Sequence, residues 1–487
     1  MSNADWISRR LGFGRALAIP ETSQTEWIEN QRTGLSTLSK LPFKDSFFTT
    51  TGEIEGRGLP DGYFEKLKNT IGAESEGIRL REELWKKEEE GNKRKAAGKP
   101  GAKEFADEVW RSKDLWPIWY SAWLRGYHAM TQDQEYANRL WFFWLSFFPM
   151  GRSSNNSMFM PNFQATLKYR QFGSFADLLY AVVRHPAMLL YLDNNGSVGP
   201  NSRARIEKWT DRSYNENLGR ELLELYSVTP GAGYTQEDVT AAAFLLTGWT
   251  IDKKKLMSDF DNNMHQPGPH KVLGKSYGGF SGGNPLKNLC NDLALHPMTA
   301  KHIATRLCAH FIQDSPSSLD VEKVASVYTA HKGDLLPVYD ALLERVEERS
   351  LEQKAEKFLA PEIWLWQVMI VRGLRHPPDM YPRNMSAGGL LQVYGLLRDL
   401  GQVQGEAPQP NGWPDQEDFW LSNEYLDRRI RLAASAGTAA WNSPADFIDS
   451  SFDRLKIEPV RVAGSDARQD RLSKTVNLFC SPKFLRA

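Results

Sequence analysis

YNENLGRELLELY, residues Tyr214–Tyr226, decides how the chain is read. At about 100° per residue, Glu216, Asn217, Arg220, Glu221 and Glu224 fall in one arc, and Leu218, Leu222, Leu223, Leu225 and Tyr226 fill the other. So clean a segregation predicts a helix with one wet and one dry side. The stretch YTQEDVTAAAFLLTGW (Tyr234–Trp249) repeats the signal with caps. Thr235 supplies an N-cap hydroxyl, Asp238 a carboxylate three residues on, and Gly248 a stop, so Trp249 is expected in the loop that follows.

The same periodicity runs through Glu65–Lys95, Asp107–Met130, Gln134–Phe148, Phe175–Tyr191, Thr299–Ile312, Leu319–His331, Pro337–Arg345 and Glu362–Arg372, and no alternating strand pattern rivals it. The expected fold is all-α. We read one large helical domain over 1–487, open to division into two lobes, with a motif-bearing core over 134–312 and a C-terminal helical lobe over 360–487. The charged run IRLREELWKKEEEGNKRK (Ile78–Lys95) before the breaker AAGKPG predicts an exposed helical hairpin inserted over 65–112.

Lysine plus arginine equal aspartate plus glutamate at 60 each among 487 residues, so no global field draws in nucleic acid. The longest apolar run, LWFFWLSFFPM (Leu140–Met150), is about half the ~20 residues of a membrane span and reads as a buried helix. The start, MSNADWISRRLGFG, has no apolar export signal, which points to a cytoplasmic protein or a mature form. Cys290, Cys308 and Cys480 have neither zinc-ligand spacing nor a disulfide pattern and read as buried thiols. Nucleotide-loop, hydrolase-elbow, zinc-protease and calcium-loop motifs are absent from the sequence.

The polar arc of the glutamate helix admits two readings. Glu216, Arg220 and Glu224 are successive i,i+4 neighbours, which suffices for a solvated charge ladder. Glu221, at the arc's edge beside Leu225, is expected half-buried, where with Glu224 it could share a proton or a cation. HQPGPHKVLG (His265–Gly274) offers two imidazoles in a proline-stiffened loop, and His296, before Pro297, reads as a helix cap. In HPMTAKHIATRLCAHFI (His296–Ile312), Ala300, Ile303, Ala304, Leu307 and Phe311 form the core stripe, with Lys301, His302, Thr305 and Arg306 opposite.

In order along the chain, RRLGFG (Arg9–Gly14), MLLYLDN, NENLGRELLELYS, YTQEDVTAAAFLLTGW, HQPGPHKVLG, HPMTAKHIATRLCAHFI and NGWP (Asn411–Pro414) resemble the bacterial domain-of-unknown-function 1800 family. The resemblance spans nearly the whole chain and implies a single helical domain, usually exported, often encoded beside an alkaline-phosphatase-like partner and without established biochemistry. It raises Asn215, Glu216, Asn217, Arg220, Glu221, Glu224, Trp249, His265, Gly268, His296 and Trp413 as site candidates. Three departures accompany it. Ser146 and Phe147 stand where relatives carry asparagine and histidine; Gln266 and His270 replace an aspartate and a lysine; and the export signal is missing.

Two functions follow as expectations. The first is an enzyme, a hydrolase or oxidoreductase acting on a peptide, glycan or small polar substrate. Glu221, Glu224 and His265 would be catalytic, Asn217, Arg220, Trp249 and Trp413 would bind substrate, and a divalent metal would sit on Glu221, His265, His270 and His296. The second is a non-catalytic binding or assembly protein in which the polar block ties helices together, a class that Phe147 favours. A carboxylate glycosidase is the outside reading, since Glu221 and Glu224 lie on one helix and make a poorly opposed pair.

Overall fold

The computed structural model describes residues 3–14, 23–40, 86, 89–91, 93–98, 118, 121–130, 134–151, 157–252, 257–278, 284–352, 357–374, 388–403, 405–436, 448–460 and 466–487. Its α-helices are α1 (Asn3–Leu11), α2 (Gln24–Ser39), α3 (Glu135–Phe147), α4 (Met160–Arg170), α5 (Phe175–Val183), α6 (Pro186–Tyr191), α7 (Arg203–Ile206), α8 (Asn217–Glu224) and α9 (Gln236–Leu246). After two hairpins come α10 (Pro285–Ala294), α11 (Pro297–Phe311), α12 (Ser318–Ala330), α13 (Leu335–Glu352), α14 (Pro361–Val371), α15 (Gly388–Leu400) and α16 (Glu417–Trp420). The last four are α17 (Asn423–Ala436), α18 (Ile448–Leu455), α19 (Ala467–Phe479) and α20 (Pro482–Leu485). The class is all-α, and no helix among the described residues is long and apolar enough to cross a membrane. Buried apolar residues from Ile7 to Ala487 form one connected cluster.

Caps explain where many of these helices begin. Thr235 and Asp238 form the expected capping box at α9, and serines 23, 174, 202, 317 and 481 cap their helices through the side-chain oxygen. Two His–Pro pairs repeat one solution: Nδ1 of His185 accepts from the Ala187 amide and Nδ1 of His296 from the Met298 amide, each at 3.1 Å, while proline fills the first helical position. The first pair splits the expected Phe175–Tyr191 helix into α5 and α6, because a proline within a helix removes a ladder bond.

Two short antiparallel hairpins interrupt the helices. Strands β1 (Trp249–Asp252) and β2 (Met257–Phe260) pair from Trp249 opposite Phe260 to Asp252 opposite Met257. Strands β3 (His270–Val272) and β4 (Lys275–Tyr277) pair His270 with Tyr277. Trp249 therefore lies on a strand rather than in a loop, and the second half of HQPGPHKVLG is a hairpin. At its turn, the Leu273 amide donates to Asp238 of α9 at 2.8 Å. Most of the charged hairpin expected over 65–112 lies outside the described residues; its described part is helical from 93 to 96, with Lys93 2.9 Å from Glu89 and Arg94 paired with Glu90.

RRLGFG is an architectural knot. The fully buried Arg9 guanidinium donates to the Gln367 side chain at 3.0 Å and to the backbone carbonyls of Lys483 and Phe484 at 2.7 and 2.5 Å, joining α1 to α14 and α20. Arg10 donates to the Ile312 carbonyl at 2.7 Å, just past α11. Arg139 and Glu135 of α3 hold the turn from the other side, through the Gly12 carbonyl and the Phe13 amide, both at 2.7 Å. Arg9→Leu would leave the buried Phe484 carbonyl and the partly buried Lys483 carbonyl without their donor, at about 1–3 kcal/mol for a fully buried group. We expect a urea midpoint lower by the equivalent of about 3–5 kcal/mol; an unchanged midpoint would show that the knot does not hold the fold.

Candidate functional site at the end of the glutamate helix

Gly219 lets α8 and α9 come close: a Cβ there would lie 2.8 Å from the Ala243 amide nitrogen. Across this contact the outer arc of α8 is spent on structure. Glu216 accepts from the Thr240 hydroxyl at 2.8 Å and from the Gln236 amide at 2.7 Å, and Arg220 bridges Glu216 at 3.3 Å and Gln236 at 2.9 Å. The Asn215 side chain accepts from the Asn217 amide at 2.8 Å and starts the helix, leaving the Asn217 side chain exposed. The ladder expected from Glu216 through Arg220 to Glu224 thus stops at Arg220, and Glu224 instead accepts from the Tyr234 hydroxyl at 3.5 Å.

Glu221 is half-buried, as its place on the wheel implies, and burial first and Glu224 second push its carboxyl above the ordinary range, with Arg220 opposing. After burial, its charge helps to raise the phenols of Tyr191 and Tyr226 and, least, that of Tyr234. Tyr226 is fully buried with its hydroxyl 3.9 Å from the Met188 sulfur and its ring 5.2 Å from Phe148. The Tyr191 ring fills the space where a Cβ on Gly151 would be, 2.4 Å from its nearest carbon.

Helix α11 meets the end of α8. Its polar side presents His302, Arg306 and His310 at i, i+4 and i+8, so they form one row. His302 donates through Nε2 to the Leu225 carbonyl at 2.9 Å, one turn past Glu221. A carbonyl can only accept, so this bond fixes the tautomer and leaves Nδ1 as a lone-pair acceptor. Burial holds the imidazole neutral, with its pKa lowered to about 4. The Phe147 ring lies 5.4 Å from the His302 ring, and Arg306 sits over Phe147 at 5.4 Å. The aromatic side chain that replaces the family's histidine therefore abuts this row.

The NGWP segment closes the far end. Gly412, at φ +84°, approaches Ser146 so closely that a Cβ would be 2.1 Å from the Ser146 carbonyl oxygen. The Ser146 hydroxyl donates to the Trp413 carbonyl at 3.4 Å, and the Trp413 indole donates to the Val403 carbonyl at 3.2 Å. Asp415 accepts from His310 at 2.7 Å and lies 4.0 Å from Arg306; its carboxyl is pushed down to about 2, the pull of His310, Arg306 and Lys357 outweighing burial.

The remaining expected residues have partners of their own. His265 donates through Nδ1 to the Thr247 carbonyl at 2.9 Å, and His270 through Nε2 to the Gln266 carbonyl at 3.3 Å. Burial lowers both their pKa values and His265 lowers that of His270 further, so these two imidazoles are neighbours. His296 is a helix cap with Nδ1 engaged. Among the described residues no three His, Cys, Asp or Glu side chains gather as metal donors, so Glu221, His265, His270 and His296 are not brought together as a ligand set. Gln266 is buried, accepts from the Asn201 amide at 2.9 Å and packs against Gly199. Trp249 packs between Tyr180 and Phe260, and Trp249 and Trp413 are only 8% and 9% exposed, so both serve as packing rather than as open pocket walls. Cys290 and Cys308 are buried as expected, and Cys480 is partly so.

His302, Arg306, His310 and Asp415 were not among the expected site residues. The first three carry a sequence signal in their four-residue spacing opposite the core stripe. Asp415 has none, because 105 positions separate it from His310.

The close approach at Gly219 gives a direct test. Alanine is intrinsically better in a helix by about 1 kcal/mol, but the added methyl meets backbone that cannot turn away, a clash of about 1–3 kcal/mol. Gly219→Ala should therefore lower the thermal midpoint and break the Glu216 to Thr240 bond; a raised midpoint would show that α8 and α9 are not in contact there.

The sequence profile of the family described as protein of unknown function (DUF1800) matches residues 7–483. No curated protein and no solved structure matches the chain. With nearly its whole length covered by that one profile, the chain belongs to the DUF1800 family.

Proposed function

We propose that this protein is an enzyme that uses Glu221 as a proton donor on a small polar, peptide or glycan substrate, at the junction of α8 and α11. The observation that supports the reading is the Glu221 environment: a half-buried carboxyl, raised by burial and by Glu224, whose charge in turn helps to raise the phenols of Tyr191, Tyr226 and Tyr234. His302, neutral and with Nδ1 free to accept, supplies a complementary base on the adjoining helix. Together they suit hydrolysis, in which one group protonates the leaving atom and the other takes a proton from water. Glu224 raises the Glu221 carboxyl rather than acting itself, and Arg220 is engaged with Glu216 and Gln236. The metal-assisted form of the reading loses support because its four ligands do not share a site.

A second reading has its own observation. Asn215, Glu216, Arg220, Gln266 and His296 are all engaged in internal hydrogen bonds, as an assembly protein with a purely structural polar block requires. The alkaline-phosphatase-like partner implied by the family resemblance is then the protein to offer it.

Screening against chromogenic esters, peptides and glycosides distinguishes the two. Glu221→Gln should cut kcat by about 10²-fold or more with the fold intact, and His302→Ala by a similar factor. The acid must be protonated, so activity should fall as pH rises through the raised Glu221 value; the base must be neutral, so it should also fall as pH drops toward about 4. Absence of turnover in the wild type, with a stoichiometric complex recovered instead, would sink the enzyme reading.

A further inference from the structure

We propose that the His310–Asp415 pair is an acid-released latch that holds the Asn411–Asp415 segment on α11. Nδ1 of His310 lies 2.7 Å from Oδ1 of Asp415 and donates to it, while Nε2 is buried without a hydrogen-bond partner among the described residues. A second proton would have to go on that buried, unpartnered nitrogen.

The surroundings make this costly. From α3 come the Arg139 guanidinium and the Phe143 ring, the ring 5.5 Å away; α11 itself adds Arg306 and Phe311. The stretch ahead of α14 brings Lys357, whose ammonium donates to the Asp415 carbonyl and pairs with Asp314. Arg139 and Lys357 both disfavour a further positive charge on His310, and Arg306 and Lys357 already compensate the Asp415 carboxylate. Burial, then Arg139 and Lys357, hold the imidazole below its ordinary 6.5 against the pull of Asp415.

The direction of the switch follows from linkage. The closed latch keeps His310 neutral, whereas an opened segment returns it to water and to its ordinary 6.5. Well above that pH neither form takes up a proton; below it the open form takes one up more readily than the closed. One proton changes the closed-to-open ratio by about tenfold per pH unit, so acidification to pH 5 should weaken the latch by up to about 30-fold. Asp415, pushed down to about 2, stays ionised throughout. The segment thus released carries Trp413 and the Gly412 contact with Ser146, and it frees Arg306 beside Phe147.

Amide hydrogen exchange on the full chain at pH 7.5 and pH 5.0, corrected for intrinsic rates, tests this. Protection of the amides at 411–413 and 415–416 should fall in the wild type, by at most about 30-fold. It should not fall in His310→Asn, which keeps a donor toward Asp415 but cannot titrate. Constant protection in the wild type, or an equal loss in the variant, overturns the proposal. If the variant does not fold, the His310 ring resonances of the wild type decide. They should take up a proton only as the segment loses protection, and protonation with protection retained overturns the latch.

Discussion

Helix α11 must be dry on one side and occupied on the other, and most of the architecture meets that constraint. Its stripe of Ala300, Ile303, Ala304, Leu307 and Phe311 is buried in the common core. The opposite row cannot be left bare in a half-buried position, since each imidazole or guanidinium there needs a partner. His302 takes the open carbonyl at the end of α8, His310 takes Asp415, and Arg306 lies between Phe147 and Asp415. One helix thereby positions the glutamate helix, the end of α3 and the NGWP segment relative to one another.

What could be read from the sequence follows how local each signal is. Helices α8, α9, α11 and α12 declare themselves because their apolar stripes, and for α9 and α11 their caps, lie within one stretch of chain. Helix α4 (Met160–Arg170) does not, because Phe163, Gln164, Ala165, Thr166, Leu167 and Lys168 are all buried and no wet face marks the period. The hairpins are also hidden: strands of three or four residues are too short for alternation to show, and none of them alternates buried with exposed positions. At the site, the half-burial of Glu221 follows from its wheel position, and the cap at His296 from its proline. The bond from His302 to the Leu225 carbonyl, one turn past Glu221, could not be read, because it joins separate elements 77 positions apart.

The motif residues divide by physical task. Arg9, Gly219, Glu216, Arg220, His296 and Gly412 are structural: they permit close approach, cap helix starts or satisfy buried polar groups. Glu221 is different, because burial and the neighbouring Glu224 make its ionisation harder. A motif block that looks uniform in sequence therefore contains both the mortar of the helix pair and one carboxyl held in an uncomfortable environment.

The Arg9 knot has a consequence for how the chain is made. Its guanidinium bonds to carbonyls 474 and 475 positions later, so the first described helix cannot complete its polar contacts until the ribosome has released almost everything else. Until then a cation destined for a waterless pocket must stay hydrated, and α1 has reason to remain undocked. Contacts that distant in sequence slow folding, because the loop must close before the bond rewards it. The order of events in the cell is thus built into the fold: the middle helices can consolidate during synthesis, and the α1 to α20 seam is sewn last.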